Sequence, residues 1–154
     1  MMQENLIAQS QKYYEDHLGA KFGQPVGASA AEIRTPENEL GFALPTAYRQ
    51  FVAWVGLESN GQGPLESCHP KYVIGNNRDL PAFLKECGVP FQPGRPFICP
   101  YFANYHVAVW FYCDEDAADP RVNVFRESSQ WGPEFNRWTF SNWLLQELNG
   151  SLLI

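Results

Sequence analysis

Cys68 and His69 are the first residues in this chain whose types could do chemistry together, a thiol beside an imidazole. A nucleophile and its base must converge in space, and neighbours in sequence usually point apart, so the pair makes a poor catalytic couple. His106 lies inside the run Tyr105–Tyr112 (Y-H-V-A-V-W-F-Y), where a hydrogen-bonded core imidazole is the plainer reading than a general base. His17 falls at the end of a first helix. Three histidines so dispersed define no triad geometry.

Asp114, Glu115, Asp116 and Asp119 offer closely spaced oxygen ligands that would suit a hard cation. They lack the glycine hinge and distal bidentate glutamate of a calcium loop, and a solvated hairpin tip accounts for them. The four cysteines, Cys68, Cys87, Cys99 and Cys113, are spaced too widely for a metal knuckle. The glycine cluster Gly56 to Gly63 has neither the lysine nor the strand-to-helix setting of a phosphate loop. No metal, no cofactor and no catalytic residue is therefore expected. A small cysteine/histidine hydrolase using Cys68, Cys113 or His106 is the remote alternative.

The elements that must position these residues follow from punctuation and periodicity. Residues 3 to 18 read as a first helix stopped at Gly19. Ser29 opens a short turn through Ile33, and Thr35-Pro36 a second start that places Glu37 and Glu39 in a first helical turn. Gly41 ends that helix, and Pro45 starts the next. Tyr48, Phe51, Val52 and Val55 then form one apolar stripe, widened by Ala47 and Trp54, while Arg49 and Gln50 face away.

Tyr72 to Ile74 reads as a short strand closed by Gly75-Asn76-Asn77. Leu80, Phe83, Leu84 and Cys87 read as a helix capped by Asp79 and ended by Gly88. Phe97–Phe102 and Tyr105–Tyr112 read as a hairpin with its turn at Ala103-Asn104, and Pro100 implies an edge position or a bulge. Tyr105–Tyr112 is apolar on both faces, which predicts a central strand covered twice, or covered once and used for binding on the other face. Arg121 to Arg126 returns as a strand. Thr139 opens a last helix with Phe140, Trp143, Leu144 and Leu148 inward, ended by Asn149-Gly150. The class is α+β, an antiparallel sheet of mixed strand length flanked by N-terminal helices and a C-terminal helix.

At 154 residues with 45% hydrophobic and 18% charged content, one domain with a real core is expected. A net charge of −6 and the absence of any lysine or arginine run argue against direct nucleic-acid binding and favour a basic partner. Solubility alone explains the charge equally well. The opening M-M-Q-E-N-L-I-A-Q-S has no basic n-region and no long apolar run, so no secretory signal is expected, and no window is long enough to span a membrane. The cysteines are read as reduced thiols of a cytoplasmic protein.

The block E-x-x-L-G-x-x-L-P-x-x-Y-x-x-F, here Glu37, Leu40, Gly41, Leu44, Pro45, Tyr48 and Phe51, resembles the signature of the SUKH superfamily, whose Smi/Knr branch includes cell-wall-assembly regulators. Downstream, an aromatic strand pair, an acidic turn, a strand after Pro120 and a closing T-F-x-x-W-L helix follow the same order. The chain departs from the pattern at Asn104-Tyr105-His106, where many members open the central strand with Gly-Asp. It departs again at Val55-Gly56-Leu57, where a glycine pair is common.

The resemblance implies a single SUKH-like domain over residues 1–154, with residues 1–27 as an N-terminal helical extension. It also implies a non-catalytic module, in bacteria often an immunity protein that neutralises a cognate toxin domain, frequently a basic nuclease. A regulatory or scaffold domain binding a cellular enzyme is the alternative, and a monomer or weak homodimer is expected. The expected partner surface is Asp114, Glu115, Asp116 and Asp119 with Trp131 and Glu134, which join negative charge to a ring that no periodicity assigns to the core. Trp131 packing its own loop down explains that ring equally well.

Overall fold

The Gly41–Pro45 corner sets the architecture, because it turns two helices against one another and delivers the second into the core. In the computed structural model, residues 4–57, 70–103, 107–115, 117–126 and 138–150 are described. They form α1 (Ala8–His17), α2 (Gly19–Phe22), α3 (Ala30–Leu40), α4 (Thr46–Val55), α5 (Lys71–Glu86), β1 (Phe97–Ala103), β2 (Val107–Tyr112), β3 (Asn123–Arg126) and α6 (Phe140–Leu148). Over the described residues the chain is one α+β domain in which helices flank a three-stranded antiparallel sheet of order β1-β2-β3.

Gly41 closes α3 with φ +84°, the left-handed region where a side chain would be strained, and Pro45 is the N-cap of α4. Glu37 accepts a hydrogen bond from the Leu44 N–H at 2.7 Å, so its carboxylate spans the corner. Along α4, Ala47, Tyr48, Phe51, Val52 and Val55 are all buried. Their centre is a ring cluster in which Phe51 and Phe140 lie 5.5 Å apart and Tyr48 lies 5.8 Å from Phe111, both edge-to-face. Helix α4, the sheet and α6 thus meet in one aromatic knot, a packing mode that adds to plain area burial.

β2 is the central strand, and Ala108 to Phe111 are essentially inaccessible. Val109 and Phe111 join the larger core with α1, α3, α4 and α6. Ala108 and Trp110 join a second core with Leu80, Phe83 and Leu84 of α5. Of the two sequence readings of this strand, coverage on both faces is the one observed.

β1 is an edge strand, and its register against β2 slips between Ile98 and Tyr101, so Pro100 sits at a bulge as expected. The outer edge of β1 is closed by α5. Asn77 donates its Nδ2 to Phe97 O at 2.7 Å and accepts the Cys99 N–H at 2.8 Å, and Asn76 donates to Cys99 O at 2.9 Å. Asn77 therefore makes the pair of bonds a neighbouring strand would make, which blunts an edge otherwise open to association.

Several boundaries differ from the sequence reading. Ser29 and Glu32 form a capping box that starts one continuous α3, and Pro36 is buried within it. Thr35 is not a cap, since its hydroxyl donates back to Ala31 O, and Glu37 and Glu39 belong to the last turn. Tyr72 to Asn77 are helical, because Val73, Leu80 and Leu84 share one buried face of α5 and the two asparagines reach β1. Asp79 is no cap; it pairs with Arg78.

The first helix begins at Ala8, and Gly19 opens α2 instead of stopping the chain, with Gly23 at φ +82° as the terminator. Ala103 pairs with Val107 as part of the ladder, so it is no turn residue, and Asn104 lies outside the described residues. Gln50 does not simply face solvent. It accepts the Leu6 N–H and donates to Glu4 O, both at 2.8 Å, tying the start of the chain to α4. Through that tie Ile7 and Tyr14 reach the main core.

Candidate protein-binding surface

The loop after β2 carries the acidic residues, and three of them are described: Asp114, Glu115 and Asp119. They do different jobs. Asp119 faces the start of α6, where its carboxylate accepts the Ser141 N–H at 2.9 Å and the Ser141 hydroxyl at 2.5 Å. A carboxylate there satisfies an orphan helix donor and meets the positive end of the helix dipole. Next to it, Ala118 O accepts the Ala47 N–H at 2.8 Å and Pro120 O accepts the Phe140 N–H at 2.8 Å. One short loop therefore ties down the N-termini of both α4 and α6.

Asp114 is held by Arg95 from the turn before β1. Arg95 Nε reaches Asp114 Oδ2 at 2.8 Å and Nη2 reaches Oδ1 at 2.6 Å, a two-pronged pair. The guanidinium also donates to Gln92 Oε1 at 2.6 Å and stacks 3.9 Å from the centre of the Tyr112 ring. The Tyr112 hydroxyl in turn accepts the Gln92 N–H at 3.0 Å. Hydrogen bonding from Arg95 lowers the Asp114 pKa, and the same bond raises that of Arg95. Glu115 stands outermost, its side chain 77% exposed and 3.4 Å from Arg95.

The structure therefore brings Asp114 and Glu115 together around Arg95 and turns Asp119 toward α6. Asp116, Trp131 and Glu134 lie outside the described residues. Arg95, Gln92 and Tyr112 were not singled out by sequence reasoning, although a signal existed. Continuing the Phe97–Tyr112 pairing outward by two residues sets Arg95 opposite Asp114. The bulge at Cys99-Pro100 hides this, because the register nearer the hairpin tip, if carried outward unchanged, would set Arg95 opposite Glu115.

Cys99 is fully buried, and burial pushes its thiol up; Cys113 is half-buried, and burial with Asp114 nearby pushes its thiol up to about 12. A thiol so held carries almost no thiolate at neutral pH. Cys68, His69 and His106 lie outside the described residues, and His17 stacks beside Tyr13 on α1 at 4.5 Å. Among the described residues, no group of three His, Cys, Asp or Glu side chains is arranged to hold a metal ion, and no helix is long and apolar enough to cross a membrane.

Comparison of the chain with protein-family models, with curated proteins and with solved structures gives no match.

Proposed function

We propose that this domain is a non-catalytic protein-binding module of the SUKH type, and that it acts in the cytoplasm as an immunity protein that binds and neutralises a cognate toxin domain. The observation that carries the reading is the Glu37–Phe51 block. Gly41, Leu44, Pro45, Tyr48 and Phe51 of that signature each have a conformational or packing role at the corner, and Glu37 bridges it. A signature whose members depend on one another physically is a stronger basis for a family resemblance than scattered identities.

The partner is expected to be basic, a nuclease domain being one such case. A net charge of −6 speeds encounter with a positive surface and disfavours nucleic acid itself. The partner surface is expected to centre on Glu115 and the Arg95–Asp114 pair. Asp119 is committed to α6, which makes it an anchor of the loop more than a contact.

The test is a protection assay. The chain is co-expressed with the toxin domain encoded beside its gene, and survival and co-purification are scored. Survival of the cells together with a co-purifying complex supports the proposal. Death of cells making both proteins in folded form would sink it, and a pull-down that returns a cellular enzyme in place of the toxin would replace it with a regulatory role.

A further inference from the structure

Between the first turns of α1 and α6 lies a groove of about 460 Å³. Its polar lining includes Glu4, Gln9 and Ser10 from the start of the chain, with Asp119, Thr139 and Asn142 around the start of α6. Asp119 and Thr139 also line the hollow beside Arg95, so the groove continues the candidate surface toward α1.

The two helix starts differ. At α6 the N–H groups of Phe140, Ser141 and Asn142 go to Pro120 O, to the Asp119 carboxylate and to the Thr139 hydroxyl. At α1, Asn5 serves only the first two donors, its side-chain oxygen accepting the Ile7 N–H and its carbonyl the Ala8 N–H. The N–H groups of Gln9 and Ser10 meet no acceptor among the described residues, and the N-cap, Ile7, has no side chain that could supply one.

Ser10 adds a second, independent sign. It is 1% exposed, yet its hydroxyl, which opens on the groove, is bonded to no described residue. A buried polar group without a partner costs the fold stability, so one kept here points to a partner from outside the chain.

The hydrogen-bonding inventory gives that partner's chemistry. The open donors are these three groups, the Thr139 hydroxyl proton and the side-chain amides of Gln9 and Asn142. The open acceptors are the Glu4 carboxylate, the same two amides and the lone pairs left on Asp119, each of whose oxygens takes one bond from Ser141. Both kinds are present. Two carboxylates and no Lys, Arg or His among the described residues line the groove, which repels an anion. A cation would meet the positive end of α1 and donors it cannot use. An uncharged group that both accepts and donates fits, and the peptide unit is such a group. A sugar offers hydroxyls of the same kind but packs best on a flat ring, and no aromatic residue lines the groove among the described residues.

We infer that this groove receives an uncharged stretch of main chain from a protein partner. A carbonyl of that stretch accepts from the Gln9 and Ser10 N–H groups and the Ser10 hydroxyl, and its N–H groups donate to Glu4 or Asp119. The contact presupposes the protein-binding module proposed above and gives it a second point of recognition.

The experiment is an NMR titration of the full chain with three probes: N-acetyl-triglycine amide, glucose and inorganic phosphate. The peptide should shift the Gln9 and Ser10 amides first, and the other two probes should leave them unmoved. Ser10→Ala should weaken peptide binding on the order of fivefold. Its melting temperature should equal or exceed that of the wild type, since the hydroxyl it removes has no partner in the fold.

A lower melting temperature for Ser10→Ala, unchanged peptide affinity in that variant, or no peptide response at Gln9 and Ser10 would overturn the inference. So would an equal response to phosphate, which makes the groove an anion site, or to glucose, which makes it a saccharide site. The expected peptide response without protection from the toxin leaves the inference standing and removes the immunity reading alone. Protection without that response does the reverse.

Discussion

The carboxylate of Glu37 accepts the backbone N–H of Leu44 at 2.7 Å, seven residues downstream and across the corner between α3 and α4. Arg49 completes the arrangement, donating to Leu44 O at 3.0 Å and lying 3.6 Å from the same carboxylate. An acid in the last turn of a helix is unfavourable toward the helix dipole. Here the bond to Leu44 and the arginine offset that cost, and the corner gains a fixed angle.

Glu37→Ala should therefore destabilise the fold by about 1–3 kcal/mol, since it leaves the N–H of a buried residue unsatisfied. Glu37→Gln, which keeps an acceptor, should cost less. Urea unfolding of the three proteins checks the order; equal stabilities would show that the corner holds without the bond.

Phe51 sits in the ring cluster with Tyr48 and Phe140. Phe51→Ala should cost about 3–5 kcal/mol by opening a cavity the neighbouring rings cannot fill. Leu57→Ala, at a residue 46% exposed, should stay within about 0.5 kcal/mol. The two midpoints in denaturant give the comparison directly.

Gly27 lies against the end of α4 so closely that an added Cβ would fall 1.6 Å from Ala53 O. The adjoining bonds, Ala28 N–H to Val52 O and Leu57 N–H to Val26 O, both 2.9 Å, fix that approach. Gly27→Ala should cost about 1–3 kcal/mol or more, because two backbones must separate. Thermal unfolding measures it, and a wild-type midpoint would mean the segment can move aside freely.

Arg126 and Glu147 form an ion pair between β3 and α6, and Glu147 is 3% exposed. Arg126→Ala should cost about 3–5 kcal/mol, since it strands a buried carboxylate. Burial raises the Glu147 pKa against the opposing pull of Arg126. A raised folded-state value means this group's contribution is present below the ordinary carboxylate pKa and lost as pH rises through the folded value. Relative to Glu147→Gln, the wild type should lose stability over that rise, read from denaturation series at several pH values; parallel curves would refute the shift.

Cys87 is exposed, whereas Cys99 and Cys113 are held as thiols by burial. A thiol reagent at neutral pH should label Cys87 quickly, and label Cys99 and Cys113 only on unfolding. Mass mapping of the labelled sites reads this. Fast native labelling of Cys113 would reopen the possibility of thiol chemistry there.

Features set by local chemistry were legible in the sequence. Gly41 and Pro45 punctuate the corner, the Tyr48–Val55 stripe and the Phe140–Leu148 helix bury the faces their periodicity gives them, and Pro100 marks a bulge on an edge strand. Each follows from a backbone preference or a helical or strand period acting over a few residues. The misreadings share the opposite cause. Pro36 and Gly75-Asn76-Asn77 resemble breaks when read locally, yet the helices run through them because buried faces and tertiary bonds outweigh local propensity.

The candidate surface divides in the same way. The acidic run from Asp114 to Asp119 could be read as a string of charges, but its letters could not say which carboxylate was free. Asp114 meets Arg95 only because the β1–β2 register, slipped by one residue, brings the two together, and Asp119 meets Ser141 only because the chain end folds back as α6. The sequence determined where negative charge lies along the chain. Which charges are spent on the fold and which stay open to a partner was decided by long-range pairing, since a carboxylate's role depends on the donor that reaches it, and that donor is some twenty residues away in sequence.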